Sequence, residues 1–425
     1  MPKVLVIAYN SFSDTNANGK TIKSLLRSFS SDEIAQFYCG GESPDWSVTQ
    51  NYFQITDVMM LKSFYKKMNY ILKNDTSSHS ISNNNTSSGY SRLRKHNYNF
   101  ALRFVREILW RLSYRWRNCF KKWVSDFKPE AIFYMVGDSV FMDKLVYSVA
   151  TEYDIPVVLY NCEAYRIVNL NERKGLEYLY YKRSENSYQK LLSYDKLHVI
   201  YNSNYLRVGY EDFYNLTPRS SVFYTPYIFE NSKYTRKDDL LNFVYFGNMG
   251  VGRVDSLVDF AKALMQVNSS SVLSIYGSVP EQEMHKFDSL KNVKLMGIVT
   301  SSELREVKEA SDVLVHVESF DPLIMPKLRY AFSTKIAQYL CAGRCVISYA
   351  PTDMASSEYL IHSKSVLFAD TYFELLQILK EIHTTPSILA PYAERALIQA
   401  NEHHDEFKTG GEIYTLFNNL INEKQ

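Results

Sequence analysis

The chain has 425 residues, 46% hydrophobic and 22% charged, with a formal net charge of +2; these are ordinary globular proportions, and the length is enough for two domains. No apolar run approaches the roughly 20 residues that span a bilayer, and Met1 leads straight into a strand-like run without a signal-peptide pattern. A cytoplasmic protein, soluble or attached to a membrane surface, is expected. Its five cysteines, Cys39, Cys119, Cys162, Cys341 and Cys345, are scattered and lack paired CxxC or Cys/His spacing, which argues against a disulfide framework and against a zinc site.

The small net charge conceals segregation. Fifteen Lys and Arg stand against three Asp and Glu between Lys62 and Lys128, a surplus of +12, which leaves −10 for everything else. Such a block favours an acidic partner.

Val4 to Ala8 is a short apolar run of the kind that forms a buried first strand. A polar loop from Asn10 to Gly19 follows, then a helix from about Lys20 to Phe29 with Ile22, Leu25, Leu26 and Phe29 on one side. Gly19-Lys20-Thr21 matches the end of a phosphate-loop motif, but Asp14 occupies the first glycine position, so the motif is incomplete. A glycine opening a helix after the first strand still lets a ligand's phosphate or sugar approach closely. Asn74 to Ser91, rich in Ser and Asn, is expected to be a mobile loop.

From Tyr98 to Val124, Ala101, Val105, Ile108, Leu112, Trp116, Cys119 and Trp123 recur every three or four residues, which predicts one helical stripe. Arg103, Arg106, Arg117 and Lys121 lie across from it, and Trp110 belongs to the same segment. A basic amphipathic helix with tryptophans fits an anionic lipid surface or a lipid-borne acceptor; the reading favoured for the stripe is that it packs on its own domain, with the arginines solvated. Nucleic acid is the competing acidic partner, but no nucleic-acid motif accompanies the charge, and none is expected to bind.

Ala131 to Val136 and Val157 to Tyr160 read as strands separated by a helix from Phe141 to Glu152. That alternation predicts a parallel, doubly wound sheet with ligands at the carboxyl ends of its strands. The residues just past those ends are Gly137, Asp138 and Ser139 in one case, and Asn161, Cys162 and Glu163 in the other. His198 to Ile200 begins another strand, and Thr225 to Asp239 has the composition of a linker.

A second α/β pattern begins at Leu241. Asn242 to Phe246 is a strand; Gly247, Asn248, Gly250 and Gly252 form a glycine-rich turn; Arg253 precedes a helix from Val254 to Val267, and its guanidinium is available for a diphosphate. Strands are expected at Val272 to Tyr276, Val293 to Met296 and Asp312 to Val317, with a capping box at Thr300 and Glu303 and Glu318 past the last strand end. Ser333 or Thr334 caps a helix ending at Gly343, and the strand Cys345 to Tyr349 follows. Those hydroxyls, the free N–H groups and Lys335 suit a phosphate-bearing ligand.

Taken in order, Phe246-Gly247-Asn248 to Arg253, Tyr276-Gly277, Leu295-Met296-Gly297, His316 to Phe320, Ser333-Thr334-Lys335-Ile336 and Tyr339 to Gly343 resemble the donor domain of the retaining GT-B glycosyltransferases of family 4. The likeness covers roughly Leu241 to Leu367. It implies two Rossmann-like, doubly wound α/β domains facing a central cleft: an acceptor domain over about 1–230 with a basic helical insertion at 62–128, a donor domain over 231–400, and a C-terminal helix within 401–425 returning to the first. The implied function is transfer of a sugar from a nucleoside diphosphate sugar to a lipid-linked or saccharide acceptor with retention, without a metal or other cofactor, in surface polysaccharide or glycolipid synthesis at the cytoplasmic membrane face. Carried over by residue, Arg253 and Lys335 hold the diphosphate with Ser333 and Thr334 beside them, and Gly247, Asn248, Gly250 and Glu318 face the donor. Gly19 lines the cleft from the other side, while Asn161 and Glu163 fall where the family carries a polar residue near the reacting sugar. The family's ribose-binding glutamate is here Gln338, and its paired glutamate falls on Tyr330. Those departures leave open a silent GT-B partner subunit of another glycosyltransferase.

Overall fold

Short runs of β-branched and aromatic residues, apolar on both faces, build two wholly parallel sheets in this chain. The computed structural model describes residues 1–74, 100–229, 234–236 and 240–423. The loop expected from Asn74 onward therefore lies, from position 75, outside the described residues, as do parts of the expected linker.

The first unit comprises Met1–Asn202, Arg207–Val222 and Phe407–Gln425. Its strands are β1 (Val4–Ala8), β2 (Ile34–Tyr38), β3 (Tyr52–Gln54), β4 (Ala131–Met135), β5 (Val157–Asn161), β6 (Leu197–Tyr201) and β7 (Ser220–Val222), in the spatial order β3-β2-β1-β4-β5-β6-β7. Around them lie α1 (Ala17–Leu25), α2 (Asp57–Lys62), α3 (Phe100–Leu112), α4 (Arg115–Phe127), α5 (Val140–Tyr153) and α6 (Gly175–Leu192), and then α7 (Asn204–Tyr214), whose first turn groups with the second unit. Full burial of β1, β2, β4, β5 and β6 explains their near-continuous apolar sequences.

The second unit, Ser203–Leu206 with Phe223–Glu406, repeats the plan. Strands β8 (Asn242–Phe246), β9 (Val272–Tyr276), β10 (Val293–Gly297), β11 (Val313–Val317), β12 (Cys345–Tyr349) and β13 (Leu367–Ala369) take the order β10-β9-β8-β11-β12-β13. Helices α8 (Arg253–Val267), α9 (Ser301–Ala310), α10 (Met325–Leu328), α11 (Lys335–Cys341), α12 (Ala355–Ser363), α13 (Tyr372–Thr384) and α14 (Leu389–His403) complete it. On one face of the sheet Phe243, Val313, Val315 and Ile347 pack against Leu257 and Phe260 of α8. On the other, Val244, Leu314 and Val346 pack against Ile336, Tyr339 and Leu340 of α11. The last helix, α15 (Glu406–Asn422), sets Phe417 5.5 Å and Tyr414 4.8 Å from the ring of Phe29 in the first unit.

The single helix expected over Tyr98 to Val124 is two helices. Ser113 is buried with its Oγ 2.7 Å from Ser63 Oγ, and Arg117 folds back to donate to the Trp110 carbonyl at 2.8 Å and to that of Arg111. The break turns α4 relative to α3, so the apolar period does not run through. In α4, Trp116, Phe120 and Trp123 are buried; in α3, Leu102, Val105, Ile108 and Leu112 are exposed. The arginine side of α3 is the one that faces the protein.

Candidate functional site

In the second unit the chain order reverses between β8 and β11, the place where an open parallel sheet leaves a crevice at its strand ends. After β8, Gly247 takes φ +126°, and a Cβ there would lie 2.5 Å from Lys335 Cδ; glycine is what allows the lysine to lie across the turn. Asn248 Oδ1 accepts from the Gly250 N–H at 2.7 Å, and Tyr245 Oη donates to the Asn248 carbonyl at 2.9 Å. The turn is thereby fixed from within the sheet.

Arg253 opens α8 and forks onto Glu318, with Nε 2.9 Å from Oε2 and Nη2 3.1 Å from Oε1. Glu318 follows β11 and is only 4% exposed; Ser256 Oγ donates to its carbonyl at 2.7 Å. Burial alone would raise its carboxyl, but His316, Arg253 and Lys335 together hold it at about 2. Lys335 opens α11 and donates from Nζ to Tyr245 Oη at 3.0 Å. Burial, with the Arg253 guanidinium nearby, brings its ammonium down to about 7 against the pull of Glu318. One carboxylate thus balances the arginine, while the lysine has a neutral hydroxyl for a partner. A cationic pair beside a glycine turn at two helix starts is suited to a diphosphate.

Of the other residues expected here, Gln338 lies half-buried one turn beyond Lys335 on α11. The hydroxyl cap expected at α11 does not form. Thr334 has helical torsions (φ −61°, ψ −18°) and makes no side-chain cap bond, because the Ile336 N–H is taken by the Ser333 carbonyl at 3.1 Å. Ser333 is anchored through its own N–H to Ser356 Oγ at 3.0 Å. Tyr245, Ser348 and His316 were given no role by the sequence; a tyrosine, a serine and a histidine within apolar strand runs are the signal that was present.

In the first unit two of the expected site residues, Gly19 and Asn161, are engaged within their own unit. Gly19 is buried, and a Cβ on it would come within 2.5 Å of the Ser11 carbonyl oxygen and 2.9 Å of Ser13 Cβ; the close approach it permits is that of its own loop. Asn161 is wholly buried at the end of β5, with both ends of its amide bonded to Tyr188 Oη, at 2.8 and 3.1 Å. Its amide is thereby engaged within its own unit. Glu163, two residues on, is partly exposed, and burial pushes its carboxyl up to about 7.

The basic side of α3 is likewise corrected. Arg106 pairs with Asp57 at 2.9 Å, and Trp110, 1% exposed, donates to the same carboxylate at 2.7 Å and stacks on Phe141 at 4.0 Å between ring centroids. Arg103 lies 3.4 Å from Asp138 and Arg117 caps α3. Of Arg103, Arg106, Arg117 and Lys121, the last alone is exposed; it stands on α4, 3.3 Å from Glu152. These side chains do not form one outward face.

No family model matches the sequence, and no curated protein matches it. Solved structures do match in fold. HepE from Anabaena in complex with UDP aligns over 98% of this chain and 100% of its own, with a TM-score of 0.63 and 12% identity. Sucrose-phosphate synthase from Thermosynechococcus elongatus aligns over 100% of both chains (TM-score 0.63, 10% identity). WaaG, a glycosyltransferase involved in lipopolysaccharide biosynthesis, aligns over 96% of this chain and 99% of its own (TM-score 0.54, 12% identity). The chain therefore has the α/β fold of the GT-B proteins, two Rossmann-like units each built on a parallel sheet.

Proposed function

We propose that the protein transfers a sugar from a nucleoside diphosphate sugar to an acceptor hydroxyl, with retention of anomeric configuration and without a bound metal, as a family 4-like GT-B glycosyltransferase. The observation that carries this is the convergence of Arg253 and Lys335 at the glycine turn between β8 and β11. In the transfer, the bond from the sugar's anomeric carbon to the diphosphate oxygen breaks and one to the acceptor oxygen forms on the same face. The acceptor proton leaves with the diphosphate, and Arg253 and Lys335 stabilise the charge that grows there. HepE has been crystallised with UDP, which makes a uridine diphosphate sugar the first donor to try. In the first unit, Glu163, with its raised carboxyl, is proposed to meet the acceptor hydroxyl.

The test is incubation with UDP-, GDP-, TDP- and ADP-linked hexoses, first alone and then with candidate acceptors. Slow release of one nucleoside diphosphate is expected, with the sugar's anomeric proton retaining its configuration in the product. Tight binding of a nucleoside diphosphate with no turnover of any donor would favour the silent partner subunit, for which Gln338 speaks.

We further propose a lipid-carried acceptor at the inner membrane face. Among the described residues no helix is long and apolar enough to cross a membrane. On α3, Leu102, Val105, Ile108 and Leu112 are 44–61% exposed, and on the adjacent segment Leu61 and Phe64 are 46% and 43% exposed. Exposed Lys62, Lys66, Lys67 and Arg111 accompany them, the complement of an anionic bilayer. Replacing Ile108 and Leu112 with aspartate is expected to reduce sedimentation with phosphatidylglycerol-containing vesicles by about tenfold or more and to leave UDP binding unchanged. Undiminished vesicle binding, or a change of oligomeric state in its place, sinks this assignment.

A further inference from the structure

His316 is the polar exception in β11. It is fully buried on the face that packs against α11, where its ring lies 6.1 Å from that of Tyr339, and a buried imidazole is costly unless its nitrogens are engaged. Its Nδ1 is 3.0 Å from Oγ of Ser348, its registered partner on β12. Its Nε2 has no regular hydrogen-bond partner among the described residues and lies 3.5 Å from Glu318 Oε1. Burial, more than any other influence, lowers the pKa of the ring, against the pull of Glu318, which favours the neutral imidazole with one N–H. Glu318, an acceptor only, favours the tautomer with that proton on Nε2, and in it the Ser348 hydroxyl donates to Nδ1.

We propose that His316 and Ser348 are positioning residues for the diphosphate site. Ser348 holds the His316 ring at Nδ1, His316 steadies the carboxylate of Glu318, and Glu318 aims the guanidinium of Arg253. At 3.5 Å the contact between His316 and Glu318 is weak alone. Its effect is directional, since it restrains one oxygen of a carboxylate whose two oxygens both serve Arg253. The proposal rests on the sugar-transfer reading for what Arg253 is aimed at, and not for the chain of contacts itself.

Two measurements keep those apart. The first needs no nucleotide: exchange of the Arg253 Nε–H, followed by NMR and assigned with Arg253→Lys. It should be about tenfold faster or more in His316→Leu, where Glu318 loses its restraint, and near the native rate in His316→Gln, which keeps a donor toward Glu318. Ser348→Ala, which removes one hydroxyl, is expected to fall between, with about threefold faster exchange. The second is affinity for UDP against uridine. His316→Leu should weaken UDP about tenfold and leave uridine unchanged, because only the diphosphate meets Arg253. Arg253 exchange that does not respond to His316→Leu or Ser348→Ala overturns the positioning role, as does equal weakening of UDP and uridine. If exchange responds as expected while the native chain binds neither UDP, GDP nor ADP, the positioning role stands and the sugar-transfer reading is what fails.

Discussion

Lys335→Ala is expected to lower kcat/KM for sugar transfer by about a hundredfold to a thousandfold, the usual effect of removing one donor to a charge that develops in the transition state. Folding should not suffer. The native lysine is held near 7 rather than at its ordinary 10.5, so between those values the unfolded chain binds more protons than the folded one, and stability rises with pH through that window. A side chain whose charged form is disfavoured in the fold can be removed without thermal loss. The same shift gives ligand binding a sign. A diphosphate favours the protonated lysine. Below about pH 7 affinity is flat with respect to this group; above it, each unit should weaken the complex by about tenfold until the pKa of the liganded state is reached.

The groups facing Lys335 leave that window clear. Glu318 is ionised down to about 2, burial lowers His316, burial raises Tyr245 well out of range, and Arg253 is a permanent cation. Titration calorimetry with UDP above pH 7, beyond the second ionisation of a phosphate at about 6, in buffers of different ionisation enthalpy, should record proton uptake that disappears in Lys335→Ala. Uptake that persists in the variant would assign the proton elsewhere.

In the second unit the strands as far as Tyr349 were legible in the sequence as short apolar runs, the first three ended by glycines, whereas Leu367–Ala369, only three residues long, was not. Asn242–Phe246 and Val272–Tyr276 are strands with the bounds expected, and the Thr300 capping box is present. The first unit hid more. In β2, Gln36 interrupts the apolar run, yet it is fully buried, accepting from the Phe12 N–H at 3.0 Å and donating to the Asn10 carbonyl at 3.1 Å. A residue that looks like a loop residue there anchors the loop after β1. In α6, tyrosines rather than aliphatics carry the buried face, with Tyr180 and Tyr188 inside, so the helical period was masked by residues that count as polar. The largest misreading concerned α3, where the apolar stripe is real but the buried face is set by Asp57, which draws Arg106 and the Trp110 indole inward. Periodicity locates a face without saying which way it turns.

Arg253→Ala should be the most damaging single change to the second unit, and pairing it with a second substitution separates its two roles. Glu318 is buried and bonded on both oxygens to Arg253; removing the guanidinium leaves an uncompensated carboxylate, at a cost of about 3–5 kcal/mol. A unit of this size should then melt on the order of 10 °C lower. Because the native carboxyl sits at about 2, below its ordinary 4.5, its contribution is fully present above 4.5 and is lost as pH falls toward 2. The deficit of the variant should therefore shrink on acidification. Removing both partners, Arg253→Ala with Glu318→Ala, takes away the stranded charge and should restore most of the lost stability. Affinity for UDP should not return, since the guanidinium is absent in both variants. If the double variant binds UDP as tightly as the native chain, Arg253 serves only to neutralise Glu318, and Lys335 is left as the sole cation for the diphosphate. If it is stable and does not bind, the ion pair is a preorganised half of the donor site, in which Glu318 holds the arginine and the arginine is there for the ligand.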